Sequence, residues 1–278
     1  MNEKSRRFID RSVGQNRNGC RGTRIRRSLL TSGLLLGLLL PVRPGQDPTA
    51  KEIIQKVNDL MNVETVYSRS RMTITTTSGS KRTFVSDSWS KNKGEKNLVR
   101  YVEPRRVKGQ AILMLNNADD IWVFFPRTQR VRKLASHAKK QKMQGSDFSY
   151  EDMGSGDAFI NDFDPVRLED EKKEGHDCYT LELNRRQGSD VSYGKLKIWV
   201  IKDNFIPVVI DYYDEDAPDR VLKTLTQSDF RVIDGIPTAF KYVMINRNDN
   251  TQTEMELLEV KYHIDLEDRM FTERELKK

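Results

Sequence analysis

The chain has 278 residues, of which 32% are charged and 36% hydrophobic, and its formal net charge is +7. Residues 1–45 hold ten Lys or Arg and two acids, so they account for the whole excess and leave residues 46–278 at −1. A nucleic-acid partner needs its basic footprint on the folded part, so none is expected, and with Cys20 and Cys178 on either side of residue 45 the body cannot close an internal disulfide.

Residues 24–27, "RIRR", precede "SLLTSGLLLGLLL" at 28–40. A basic stretch followed by a short apolar run is the layout of a secretory leader. The run is shorter than the roughly 20 residues of a membrane-spanning helix. No small-x-small site follows it; Gly45 in "PVRPGQD" is the candidate last leader residue. Residues 1–45 therefore read as a signal peptide or an uncleaved N-terminal anchor, and residues 46–278 as a single exported domain, expected in the periplasm. No lipobox-type cysteine follows the apolar run, so lipid anchoring of this chain is not expected.

Thr49 and Glu52 have the spacing of a capping box. Ala50, Ile53, Ile54, Val57, Leu60 and Met61 then repeat at i, i+3, i+4 and i+7, which predicts a helix over 49–62 with one apolar face. After it the period changes to two. "RMTITTTSGSKRTFVSDSWSK" at 71–91 reads as two strands around a Ser78–Ser80 turn. "KNLVRYVEP", "GQAILMLNN" and "DDIWVFFP" continue the series, with turns at 117–119 and a stop at Pro126. Six further strand-like runs follow from "HDCYTLELNRR" to "QTEMELLEVKYHIDL", separated by Gly, Pro, Asn or Asp. So many strands with short turns and one long helix predict an antiparallel meander. Cys178 is expected as a small core residue.

Alternation assigns faces. Lys195 and Lys197 mark an outer face, so Leu196, Ile198 and Val200 point in. Lys241 does the same for Phe240, Tyr242 and Met244. Trp89 and Trp199 fall on the faces opposite their strands' inward residues. In the last strand Met255 and Leu257 share a face, and Leu258, Val260, Tyr262 and Ile264 then take over. That one-residue slip predicts a β-bulge.

Residues 127–164 do not alternate. Their first half is basic and their second acidic, ending in "QGSDFSYEDMGSGDAFINDFD". A long irregular insert in a β domain is commonly functional. The histidines His137, His176 and His263 do not cluster at metal-ligand spacing, and Asp147, Glu151, Asp152 and Asp157 do not match a calcium loop. No nucleophile elbow, phosphate loop or H-E-x-x-H is present. No catalytic residue, metal or cofactor is expected. A sheet with one helix encloses either a packed core or, if it curls, a cavity for an apolar ligand.

The block "RVKGQAILMLNNADDIWVFFPRTQRVRKLASHAKKQKMQGSDFSYEDM" at 106–153 resembles the signature of the outer-membrane lipoprotein-sorting family, relatives of the LolA and LolB carriers. The resemblance includes the first helix and a closing "F-T-x-x-x-L" at Phe271, Thr272 and Leu276. It implies a mainly β fold: a curved antiparallel sheet forming an incomplete half-barrel, with the N-terminal helix and a helical or loop plug at its mouth. It implies a non-catalytic carrier of lipoprotein acyl chains or lipids between membranes, with an inner-membrane transporter and an outer-membrane acceptor as partners. The chain is expected to be a monomer. A sensor of mislocalised lipoproteins, or a periplasmic accessory subunit of a lipid exporter, would carry the same fold. The expected lipid-binding wall is Met72, Ile74, Leu113, Leu115, Trp122, Phe124, Leu196, Ile198, Val200, Phe240, Tyr242 and Met244. The expected gate is residues 139–160, with Phe148 and Tyr150 as apolar anchors. Ion pairs from Arg127, Arg130 and Arg132 to Asp147, Glu151 and Asp152 would hold it. The alternative for this stretch is an ordinary solvated loop.

Overall fold

The computed structural model describes residues 47–154 and 156–278. The leader at 1–45 and its expected cleavage near Gly45 lie outside the described residues. Helix α1 (Ala50–Met61) starts where the capping box predicts: the Thr49 hydroxyl accepts from the Glu52 N–H, and the Glu52 carboxylate accepts from the Thr49 N–H at 2.7 Å. Its buried stripe is Ile53, Ile54 and Val57, each worth about 1.5–3 kcal/mol when withdrawn from water. Among the described residues no helix is long and apolar enough to cross a membrane.

Six strands follow as a meander: β1 (Thr65–Thr75), β2 (Lys81–Lys91), β3 (Lys96–Glu103), β4 (Ala111–Leu115), β5 (Asp120–Phe125) and β6 (Arg130–Lys133). Residues 134–162 contain two short 3-10 turns and the helices α2 (Tyr150–Gly154) and α3 (Ala158–Asn161). The second series is β7 (Phe163–Arg167), β8 (Glu171–Lys173), β9 (His176–Arg185), β10 (Lys195–Ile201), β11 (Pro207–Tyr213), β12 (Val221–Ile233), β13 (Ile236–Asn246) and β14 (Thr251–Tyr262). All join one antiparallel sheet in the order β6-β5-β4-β3-β2-β1-β14-β13-β12-β11-β10-β9-β7, with β8 also on β9.

This order explains the plug. The first and last strands of the described sheet, β1 and β14, meet in its middle, while β6 and β7 are its two edges. Those edges are consecutive in the chain, so residues 134–162 must run from one edge of the open barrel to the other. They pack on the same face as α1. Met153 touches both interior clusters, one built on α1 and β9–β13, the other on β1–β5. The basic stretch expected to be irregular forms the edge strand β6 instead. Charged side chains suit an unpaired edge because they discourage pairing with another chain.

The bulge expected in the last strand is present. Arg69 pairs with Glu259 and Ser70 with Leu257, so Leu258 is the extra residue. On its two sides Met255 and Val260 face the same interior, which is why the sequence changes phase there.

The outer face is also partly covered. The segment after β14 lays Leu266, Phe271 and Leu276 over Leu98, Leu113 and Phe124, with Trp89 packed alongside. A second outer cluster holds Cys178, Trp199, Ile201 and Val209, and Cys178 is fully buried in it.

Candidate functional site

Between the plug and the inner face lies a cavity of about 320 Å³. The sheet contributes Leu196 from β10, Ile210 and Tyr212 from β11, and Leu225 from β12. The plug contributes Phe148, Met153 and Phe159, and β7 adds Phe163. The lining also includes the uncharged polar residues Asn62 after α1, Ser90 and Asn97, beside Met61, Val63 and Val66. A volume in this range matches the lower end of small-molecule sites, about 300–1,000 Å³.

The "QGSDFSYEDM" stretch forms the roof. Ser146, Asp147, Phe148, Ser149 and Glu151 are all buried. Asp147, 3% exposed, accepts from Thr251 Oγ1 at 2.5 Å, Thr253 Oγ1 at 2.7 Å and Lys142 Nζ at 3.2 Å. Its own N–H donates to Thr253 Oγ1 at 2.9 Å. These bonds pin the roof to β14. Ser149 and Asp152 bond each other's backbone N–H groups and so start α2. Asp152 then accepts from Tyr193 Oη at 2.9 Å and Lys223 Nζ at 2.5 Å. The Lys223 ammonium also faces the Tyr193 and Tyr212 rings, each at 4.9 Å. Glu151 accepts from the Ser192 N–H at 3.1 Å and the Ser192 hydroxyl at 2.5 Å. Burial raises the Glu151 pKa above the ordinary Glu range despite these two donors. Burial, with Asp152 nearby, pushes the Tyr193 and Tyr212 phenols well up.

Glycines allow the close fit. A Cβ on Gly154 would stand 2.7 Å from Ala118 Cβ and 3.0 Å from Met114 Sδ. One on Gly156 would stand 2.6 Å from the Lys93 carbonyl oxygen. Asn62 reaches across to donate to the Gly156 carbonyl at 2.7 Å.

The expected site residues divide into three groups. Leu196 lines the cavity, as do Phe148, Glu151 and Asp152. Ile198, Val200, Tyr242 and Met244 belong to the surrounding core, and Met72, Ile74 and Tyr150 to the interior cluster on β1–β5. Phe240 is buried beneath the Arg231 guanidinium, 4.0 Å from its ring centre. Leu113, Leu115, Trp122 and Phe124 require a correction: they lie on the outer face under the C-terminal segment, and Ile112, Met114, Ile121 and Val123 are the inward residues. Alternation gave no warning because β4 is buried on both faces.

The ion pairs also differ from expectation. Among the described residues, Arg127, Arg130 and Arg132 make no ion pair with Asp147, Glu151 or Asp152; Arg132 lies 5.8 Å over the Phe125 ring. The arginines are held on the β5–β6 hairpin, and the acids turn inward. The cations that fasten the plug are Lys223 of β12 and the plug's own lysines. Lys139 meets Asp119 at 3.0 Å and Asp190 at 3.3 Å, Lys140 meets Asp190 at 2.9 Å, and Lys142 meets Asp249 at 2.6 Å. Sequence reading missed Lys223, Thr251, Thr253 and Ser192. Lys223 left a signal: it is in phase with Leu225, an inward residue.

A curved, incomplete antiparallel barrel that encloses one helix and a plug over an apolar cavity is the fold class of lipoprotein-sorting proteins. A family model described as "Uncharacterized protein" matches residues 93–278, more than half of the chain, and the chain belongs to that family. Three crystal structures share the fold. One is a Vibrio parahaemolyticus domain named for outer membrane lipoprotein sorting, 27% identical with a TM-score of 0.73 over 82% of this chain and 97% of that one. Another is a DUF1329 family protein from Desulfovibrio piger, 26% identical with a TM-score of 0.73 over 83% and 100%. The third is a LolA superfamily protein from Nitrosomonas europaea, 26% identical with a TM-score of 0.69 over 82% and 99%. No curated protein matches.

Proposed function

We propose that the protein is a periplasmic carrier that shields an acyl chain of a lipoprotein or lipid during transfer between membranes, with no catalytic step. The observation that carries this reading is the apolar cavity closed by a roof whose buried acids are hydrogen-bonded to distant elements. Each methylene taken from water contributes about 0.8 kcal/mol, so entry of a chain needs no other energy source. A cavity of about 320 Å³ is small for a full lipid, so a long chain enters as residues 134–162 move outward. Phe148, Met153 and Phe159 then become its contacts along with Leu196, Ile210 and Leu225. Handover follows when an acceptor binds the chain more tightly. The resemblance to lipoprotein-sorting proteins supports an inner-membrane donor and an outer-membrane acceptor as partners.

Native mass spectrometry of the protein, purified gently from its own envelope, tests this directly. The expected spectrum carries an added acyl-containing mass. A protein that never carries one, and that does not take up a neutral acyl ester, contradicts a carrier. The periplasmic location has its own test: N-terminal sequencing of that protein is expected to begin near Gln46, and a chain still holding residues 28–40 contradicts a released carrier.

A further inference from the structure

We infer that the cavity accepts acyl chains whose polar end is uncharged or cationic and rejects anionic ones, and that Glu151 is the residue that sets this preference. The inference rests on the carrier reading and names the chemistry of its ligand. Among the described residues, the only charged side chains lining the cavity are Glu151 and Asp152, and no Lys, Arg or His lines it. Asp152 is neutralised locally by Lys223 at 2.5 Å. Glu151 is not: its hydrogen-bond donors both belong to Ser192. Lys139, whose field also reaches it, is itself paired with Asp119 and Asp190.

The cations of this region face the other way. Lys140, Lys142 and Lys223 line a separate polar recess of about 350 Å³, shared with Glu215 and Asn246. Residues 147–152 and Tyr193 form the partition between the two spaces: Glu151 and Asp152 line the apolar cavity, and Asp147 lines the recess with the ammonium groups. A fatty carboxylate or a phosphate in the cavity would meet a buried like charge and no counter-ion. Like charges at short range in a poorly screened interior repel. An ester finds the uncharged polar groups of Ser90 and Asn97 in the lining, and an amine finds Glu151.

The test uses the full chain at mildly alkaline pH and a neutral fluorescent acyl ester as reporter. An alkylammonium, an alkanoate and the methyl ester of that alkanoate, all of one chain length, compete for it. The ammonium and the ester are expected to displace the reporter at concentrations about tenfold below the alkanoate. In E151Q the ratio of alkanoate to ester displacement is expected to move about tenfold in favour of the alkanoate. Alkanoate binding as tight as ammonium binding in the wild type overturns the inference. So does an unchanged ratio in E151Q. If E151Q does not fold, the wild-type comparison of the two charged amphiphiles decides alone. If the reporter does not bind at all, the carrier reading fails and this inference with it. Binding with no charge preference leaves the carrier intact and removes only the selectivity.

Discussion

The sheet carries two covers that differ in chemistry: an apolar one on the outer face of β3–β5, and an inner roof that adds buried acids to its apolar contacts. On the outer face the C-terminal segment contributes Leu266, Phe271 and Leu276 to a wholly apolar cluster. Its polar bonds are peripheral: Lys91 to the Leu266 carbonyl at 2.7 Å, and Arg100 to the Glu275 carbonyl at 3.0 Å. On the inner face the roof packs Met143, Phe148 and Met153 on the interior clusters and adds Asp147, Glu151 and Asp152, all bonded to side chains or backbone of distant elements. Apolar burial is non-directional and proportional to area, so it suits a fixed cover. Buried polar bonds are directional and must be satisfied together. They hold a segment in one position above a space that side chains do not fill. The cavity lies under the second cover.

The comparison breaks first at the outer cover. Phe271→Ala is expected to destabilise the fold by about 3–5 kcal/mol, the usual loss for a buried Phe, and to lower the melting temperature sharply. The folded fraction should keep its acyl-ester affinity, because no residue of this cluster lines the cavity. A weakened affinity in folded protein would mean that the two covers are coupled.

Gly154→Ala perturbs the inner cover alone. In a helix this change normally adds up to about 1 kcal/mol of stability. Here the new Cβ would stand 2.7 Å from Ala118 Cβ, and overpacking of this kind costs about 1–3 kcal/mol. The clash wins, so the melting temperature falls and amide exchange speeds up in residues 143–154 before the sheet. A raised melting temperature would show that the roof yields freely.

How far the sequence revealed these covers depends on range. Helix α1 was legible because its signals are local: a capping box and an apolar stripe. The bulge at Leu258 was legible because it shifts the phase of an otherwise regular strand. The inward face of β10 could be read because Lys195 and Lys197 expose one side. The inward face of β4 could not, because Ile112, Leu113 and Met114 are all fully buried. The roof was recognisable as a special segment from its composition and from the family resemblance. Its bonds were not, because Ser192, Lys223, Thr251 and Thr253 come from strands and loops far along the chain. Adjacency of the basic and acidic runs suggested the wrong cations.

A smaller effect sharpens the account of Glu151. Its pKa is raised in the folded state, with burial as the main cause. Between the ordinary Glu range and that raised value, the folded protein keeps a proton that the unfolded chain has released. This group's contribution to stability therefore falls as pH rises through that window. E151Q should flatten this part of the stability curve. A curve as steep in E151Q as in the wild type would assign the slope to another group.

The central claim is that an acyl chain lies between residues 134–162 and the inner face. Photo-cross-linking tests it most directly, using the full chain and a neutral acyl ester with a diazirine near the chain end, followed by peptide mapping. The account predicts adducts on the cavity wall, at Phe159, Phe163, Leu196, Ile210 or Leu225. Adducts confined to the outer cluster around Leu113, Trp122 and Phe124, or none above the level seen with unfolded chain, would contradict it.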